Sequence, residues 1–178
     1  MKHSRFTLTM LERVVRLNRR VELNITNDML HMFPHLQKLT PFKITDAGLI
    51  KTKIVELNLT YSDLITERGI PPTVQSITCG SVNKIRSLRK TNIEYINARH
   101  NNYLEVLPLT TCGLNAYFNR SLTTREVAKC RWLQWLVVDS YTQLDVKKIK
   151  RRIPGVLIMQ LRPEQSPSTS VTLPCEKD

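Results

Sequence analysis

An apolar-x-x-apolar segment opens seven times along the chain, at Leu36, Ile54, Val74, Ile93, Leu114, Leu133 and Val156, with spacings of 18, 20, 19, 21, 19 and 23 residues. Five of the seven continue as apolar-x-apolar, as in Ile54-Val-Glu-Leu57-Asn-Leu59 and Leu133-Gln-Trp-Leu136-Val-Val138. A period of two puts alternate side chains on opposite faces, so each segment predicts a short strand with one apolar face. A unit of this length holds a strand and a brief return, with little room for a full helix and two loops. Such a unit cannot bury its apolar face alone. Seven of them must stack, strand beside strand, all pointing the same way.

This pattern resembles the leucine-rich repeat family, whose unit is L-x-x-L-x-L-x-x-N/C-x-L. The resemblance covers residues 36–161 and implies an α/β fold: a leucine-rich-repeat solenoid with a parallel sheet on its concave face and short helical or irregular returns. The phrase Ile70-Pro71-Pro72-Thr-Val74-Gln-Ser-Ile77-Thr is similar to the short, irregular FNIP-type repeats of that family. The sequence also departs from the pattern. The Asn/Cys position reads Ser62, Val82 and Asn101 in successive units, Pro41 stands at an inward strand position, and Asn119 does so in the fifth unit. A second register for the fifth unit, Leu104-Glu-Val-Leu107-Pro-Leu109, fits the leucines but breaks the spacing.

Three segments follow: residues 1–35 as an N-terminal helical and strand cap, 36–162 as the repeats, and 163–178 as a Pro/Ser/Thr tail without a core-forming pattern. Leu8, Leu11, Val14, Val15 and Leu17 have helical spacing from about Leu8 to Arg20, and the first twenty residues hold six Lys and Arg against one acid, Glu12. A cap, an Arg-rich mitochondrial targeting helix and an F-box remnant all accommodate that stretch. Val21-Glu-Leu23-Asn-Ile25 alternates and predicts a capping strand.

No apolar run approaches the ~20 residues of a membrane span, and no secretory signal is legible. The 4 Cys form no C-x-x-C pair, which predicts reduced thiols in an intracellular protein, cytoplasmic or nuclear. Chemistry is equally sparse. There is no phosphate-cradling Gly-rich loop and no G-x-S-x-G. His31 and His35 are four apart, but Met32 stands where a zinc-protease motif needs Glu, and Pro34 interrupts any helix between them. Cys79 and Cys112 read as structural thiols. Neither a catalytic residue, a metal nor a cofactor is predicted, and the resemblance to leucine-rich repeats implies a non-enzymatic scaffold within a larger complex.

Two candidate surfaces remain. Outward strand positions form three columns along the concave face: Lys38, Glu56, Ser76, Tyr95, Ala116, Trp135, Ile158; then Thr40, Asn58, Thr78, Asn97, Phe118, Val137, Gln160; then Phe42, Thr60, Gly80, Arg99, Arg120, Asp139, Arg162. The C-terminal half gathers Tyr95, Arg99, Phe118, Arg120, Trp135 and Val137, an aromatic-and-Arg composition typical of protein interfaces. The second surface is electrostatic. With 27 Lys and Arg against 15 Asp and Glu, the chain carries +12, which attracts acidic partners. Lys84, Arg86, Arg89 and Lys90 fall in the third return, and Lys147, Lys148, Lys150, Arg151 and Arg152 in the sixth. On the convex side these would hold a nucleic acid or another acidic surface, as in a ribonucleoprotein or virion subunit.

Overall fold

The computed structural model describes residues 14–16 and 25–162. Seven parallel strands pair in chain order, making one α/β sheet: β1 (Lys38–Leu39), β2 (Glu56–Asn58), β3 (Ser76–Thr78), β4 (Tyr95–Asn97), β5 (Gly113–Asn115), β6 (Trp135–Asp139) and β7 (Leu157–Leu161). Among the described residues the connections contain only three short α-helices, α1 (Asp46–Leu49), α2 (Thr124–Val127) and α3 (Val146–Arg152), with 3₁₀ turns at Asn27–Met32 and Glu67–Gly69. None of the helices in these residues is long and apolar enough to cross a membrane.

The register follows the leucines. Leu39, Leu57, Ile77, Ile96, Leu114 and Leu136 stand side by side across the sheet, and none is more than 2% exposed. Two residues on, Leu59, Cys79, Ala98, Ala116 and Val138 make a second buried row. Ile44, Leu49, Ile65, Ile85, Leu88, Leu104, Leu122, Val127 and Ile149 close over these rows from the returns. Parallel sheets are ordinarily covered on both faces. Here every return lies on one side, and the outward residues Lys38, Ser76, Tyr95, Asn97 and Trp135 stay partly exposed.

The strands are short because Asn ends them. At the outward central position the side-chain Oδ1 accepts from the amide two residues on: Asn58 from Thr60 (3.0 Å), Asn97 from Arg99 (3.2 Å) and Asn115 from Tyr117 (3.1 Å). A side chain that turns its own backbone in this way competes with the strand ladder. A second, buried row then fixes the turn. Asn101 Nδ2 donates to the carbonyls of Gly80 (2.8 Å) and Asn83 (3.0 Å), and its Oδ1 accepts from the amides of Tyr103 and Leu104. Asn83 reaches back to Ser62 O and Ile65 O, and Asn119 Oδ1 takes the amides of Ser121 and Leu122.

This row corrects the expected ladder. Asn83 is fully buried, and Val82 beside it is 46% exposed. The bend after β3 is one residue longer than its neighbours, so fixed counting lands one position early.

The fifth unit also shifts. Tyr95 pairs with Gly113, and Asn97 with Asn115, so Leu114 occupies the second apolar position of its unit. The first is Thr111, a residue the apolar pattern passes over. Thr111 is buried, with its hydroxyl donating to Pro108 O at 2.8 Å. Phe118 and Arg120 therefore lie past the strand, and Asn119 belongs to the buried Asn row. Ala116, expected to face outward, is buried. Leu104 and Leu107 are return residues: Ser87 bridges Val106 in a second parallel pairing. In the last unit Ile158 pairs with Leu136 and packs on the core, one place away from the outward position expected of it.

At the other end, Arg16 bridges Lys38 in parallel, and Val15 O accepts from the amides of Gln37 and Lys38. Residues 14–16 are thus extended where helical spacing suggests a helix. The rest of that stretch, the Val21–Leu23 part of the capping strand and the 163–178 tail lie outside the described residues.

Asn101→Ala strands four backbone groups, two carbonyls and two amides, without side-chain partners. It is expected to destabilise by about 2–4 kcal/mol, close to the ~2–5 kcal/mol expected for the cavity in Leu136→Ala. Urea denaturation monitored by circular dichroism measures both. A change under 1 kcal/mol for Asn101→Ala would contradict its role in the turn.

Candidate binding surfaces

On the open sheet face Trp135 lies across Gly113. A Cβ on that glycine would sit 2.3 Å from Trp135 Cε2 and Cζ2, so the missing side chain makes the indole's bed. Tyr95 is the neighbour of Gly113 on the other side. Both rings are partly exposed, but Val137 is 8% exposed, so its expected contribution as a contact residue is largely withdrawn into the fold. The N-terminal half of the face, with Ser76, Thr78, Asn58 and the Lys38–Glu56 ion pair at 2.5 Å, is polar.

The aromatic density lies at the C-terminal edge of the strands. His100 and Phe118 both adopt a left-handed backbone, with φ of 58° and 54°. Each directly precedes a buried-row asparagine, Asn101 or Asn119, where the chain must bend. For a bulky residue this conformation costs free energy. It also throws the two rings together. His100 stacks on Phe118 (5.1 Å, 12°), Phe118 on Tyr141 (6.3 Å, 23°), and Tyr117 meets Phe118 edge-on at 4.7 Å. The Arg99 guanidinium sits 5.1 Å from the Tyr117 ring centre. Buried Asp139 secures the edge, its Oδ2 accepting from the Phe118 amide and its Oδ1 from that of Tyr141. A further stacked pair, Phe42 and Tyr61, lies at the N-terminal end (5.9 Å, 10°).

The structure thus brings Arg99 and Phe118 together, though not as neighbours on the sheet face. Arg120 is exposed, with its amide donating to Asn102 Oδ1 in the preceding return. His100, Tyr117 and Tyr141 are members that the strand columns missed. Their signal was available. Ala98-Arg99-His100-Asn101 and Ala116-Tyr117-Phe118-Asn119 are the same phrase 18 residues apart, and aligning them superposes His100 on Phe118.

The basic residues all face solvent, but they divide. Lys84, Arg86, Arg89 and Lys90 flank the Ser87 bridge, with Arg86 3.9 Å from Glu105. On α3, Asp145 caps the N-terminus by accepting from Lys148 N at 2.9 Å, Ile149 is buried, and the last turn is basic. Cations there complement the helix dipole, which gives part of this cluster a structural reason. Lys148 and Arg152, one helical turn apart, also face a groove. Leu109, Arg125, Lys129, Arg131 and Trp132 line it with them, around a volume of about 970 Å³.

Burial pushes the Cys79 thiol up to about 12 and Cys130 to about 11, so neither is a nucleophile near neutral pH. No group of three or more metal-ligating side chains gathers among the described residues. The sequence matches no protein-family model and no curated protein.

Two outcomes test this geometry. Gly113→Ala must lift the Trp135 indole, so the emission of that tryptophan shifts while far-ultraviolet dichroism stays native. For His100, burial first and Arg99 second hold the pKa below its ordinary value, against an opposing pull from Asp139. A depressed folded-state value means that acid favours the unfolded chain. The contribution is present above about pH 6.5 and is lost as pH falls through the lower folded value. Because the ring is largely exposed, the effect is small. His100→Asn is expected to flatten the fall in urea stability as pH drops below about 6.5.

Proposed function

We propose that the chain is a short leucine-rich-repeat-type solenoid that acts as a non-enzymatic binding scaffold. Its uncovered sheet face and the adjoining aromatic edge receive a protein partner in a larger assembly. The observation that carries this reading is the concentration of Tyr95, Trp135, Arg99, His100, Phe118 and Tyr141 on the C-terminal half of one sheet and its strand ends, with buried Tyr117 packed beneath Phe118 and Arg99. Rigid rings in fixed stacks bury large area with little further loss of side-chain freedom, which is the economy of an interface hot spot. The backbone supports it as well, since a left-handed bulky residue held by stacking and by a buried carboxylate is a strained feature of the kind that clusters at functional positions.

A photo-crosslinker at Tyr95 followed by mass spectrometry identifies the partner, and calorimetry with that partner then measures the variants. Tyr95→Ala and Trp135→Ala are each expected to weaken binding by ~1–3 kcal/mol without loss of fold, and Ser76→Ala to change it by less than ~0.5 kcal/mol. Equal effects from all three, or unfolding of both aromatic variants, would sink the reading.

A further inference from the structure

The groove on the return side is a separate surface. Its walls come from three successive returns: Leu109 from the fourth, Thr124, Arg125, Ala128, Lys129, Arg131 and Trp132 from the fifth, and Lys148 and Arg152 from α3 in the sixth. Five of these nine residues are cationic and none is acidic. Two carboxylates border it. Glu126, 8% exposed, is turned inward, where its Oε1 accepts from the Leu107 amide and its Oε2 pairs with Lys129. Exposed Asp145 is engaged as the α3 cap, its Oδ1 accepting from the Lys148 amide. That leaves Arg125, Arg131, Lys148 and Arg152 with no carboxylate among the groove's own residues. In the same groove Trp132 is 72% exposed and Leu109 63%.

An indole so exposed among guanidinium groups has one chemistry that satisfies both. We infer that the groove binds single-stranded nucleic acid, with the phosphates on Arg125, Arg131, Lys148 and Arg152 and a base stacked on Trp132. Phosphates neutralise the cations, and the base covers an apolar face that water solvates poorly. A duplex offers the phosphates but keeps its bases stacked on one another. An acidic polypeptide neutralises the cations and has no planar base for the indole. The groove spans neighbouring returns, as a backbone-tracking polymer requires, and its volume is at the top of the range for closed small-ligand pockets while its mouth is open. Lys147, Lys150 and Arg151 extend the positive field along the same helix.

The test uses the full chain carrying Trp135→Phe, so that Trp132 is its sole tryptophan. Fluorescein-labelled oligouridylate of about 12 nucleotides, a matched duplex and poly-glutamate are titrated at low salt. Expected are micromolar binding of the single strand, quenching of Trp132 emission and weaker binding of the duplex. The logarithm of affinity falls with log salt by about 0.7 per phosphate contact. Trp132→Ala is expected to weaken the single strand about 5- to 100-fold, and Arg125→Gln and Arg152→Gln to shallow the salt slope by roughly one contact each. Absence of binding at low salt overturns the inference. So does tighter binding of poly-glutamate with Trp132 unquenched, which assigns the groove to an acidic protein. Tyr95→Ala leaves this binding unchanged, so failure here and failure of the sheet-face reading are told apart.

Discussion

The amide of Asn101 holds two turns of the chain at once. Its nitrogen ties the carbonyls of the preceding unit and its oxygen takes the amides of its own. A buried backbone bend has polar groups that no strand ladder can satisfy, and each one left alone costs about 1–3 kcal/mol. After β4 the Asn101 amide donates twice and accepts twice, so the bend is buried with its polar groups paired. At Asn119 only the oxygen does this, and at Ser62 the bend is buried without a hydrogen bond from that side chain. The inward bends after β3 and β4 follow from this pairing.

Around that row the returns are joined by short polar links that repeat the same logic at the surface. Asn27 Nδ2 donates to Thr45 Oγ1 (2.8 Å), Thr66 N donates to Asp46 Oδ1 (2.8 Å), and Asp145 N donates to Thr124 Oγ1 (2.8 Å). Each link runs from one return to the next and sits where a helix or 3₁₀ turn begins. Helices of four to seven residues have no stability of their own. They persist because capping residues such as Thr123 and Asp145 satisfy their first amides and because Val127 and Ile149 are buried beneath them. The same brevity leaves the opposite sheet face uncovered, and that is why Tyr95 and Trp135 reach solvent.

The two candidate surfaces share a cause. Residues at equivalent positions in successive units become neighbours, so a residue type repeated at that interval is amplified into a patch. On the strand edge His100, Phe118 and Tyr141 accumulate into a stack. On the returns Arg125, Lys129 and Arg131 meet Lys148 and Arg152. The chain has few aromatic residues, 6%, yet it concentrates them because stacking places like beside like.

Much of this was legible before any coordinates. The leucine spacing, together with the inability of a 20-residue unit to bury itself, determined parallel strands in chain order with Leu57, Ile77, Ile96 and Leu136 inside. The charge runs read as exposed returns because unpaired charges cannot be buried. What the sequence could not decide was register wherever an apolar anchor was replaced, as at Thr111, or where a bend gained a residue, as before Asn83. There the choice rests on hydrogen bonds between units rather than on hydrophobicity. Only the tertiary structure set Trp132 and Arg125 against Lys148 and Arg152, or His100 against Phe118. Those contacts join residues about one unit apart, and a shift of one residue in either unit would have turned the side chains away from each other.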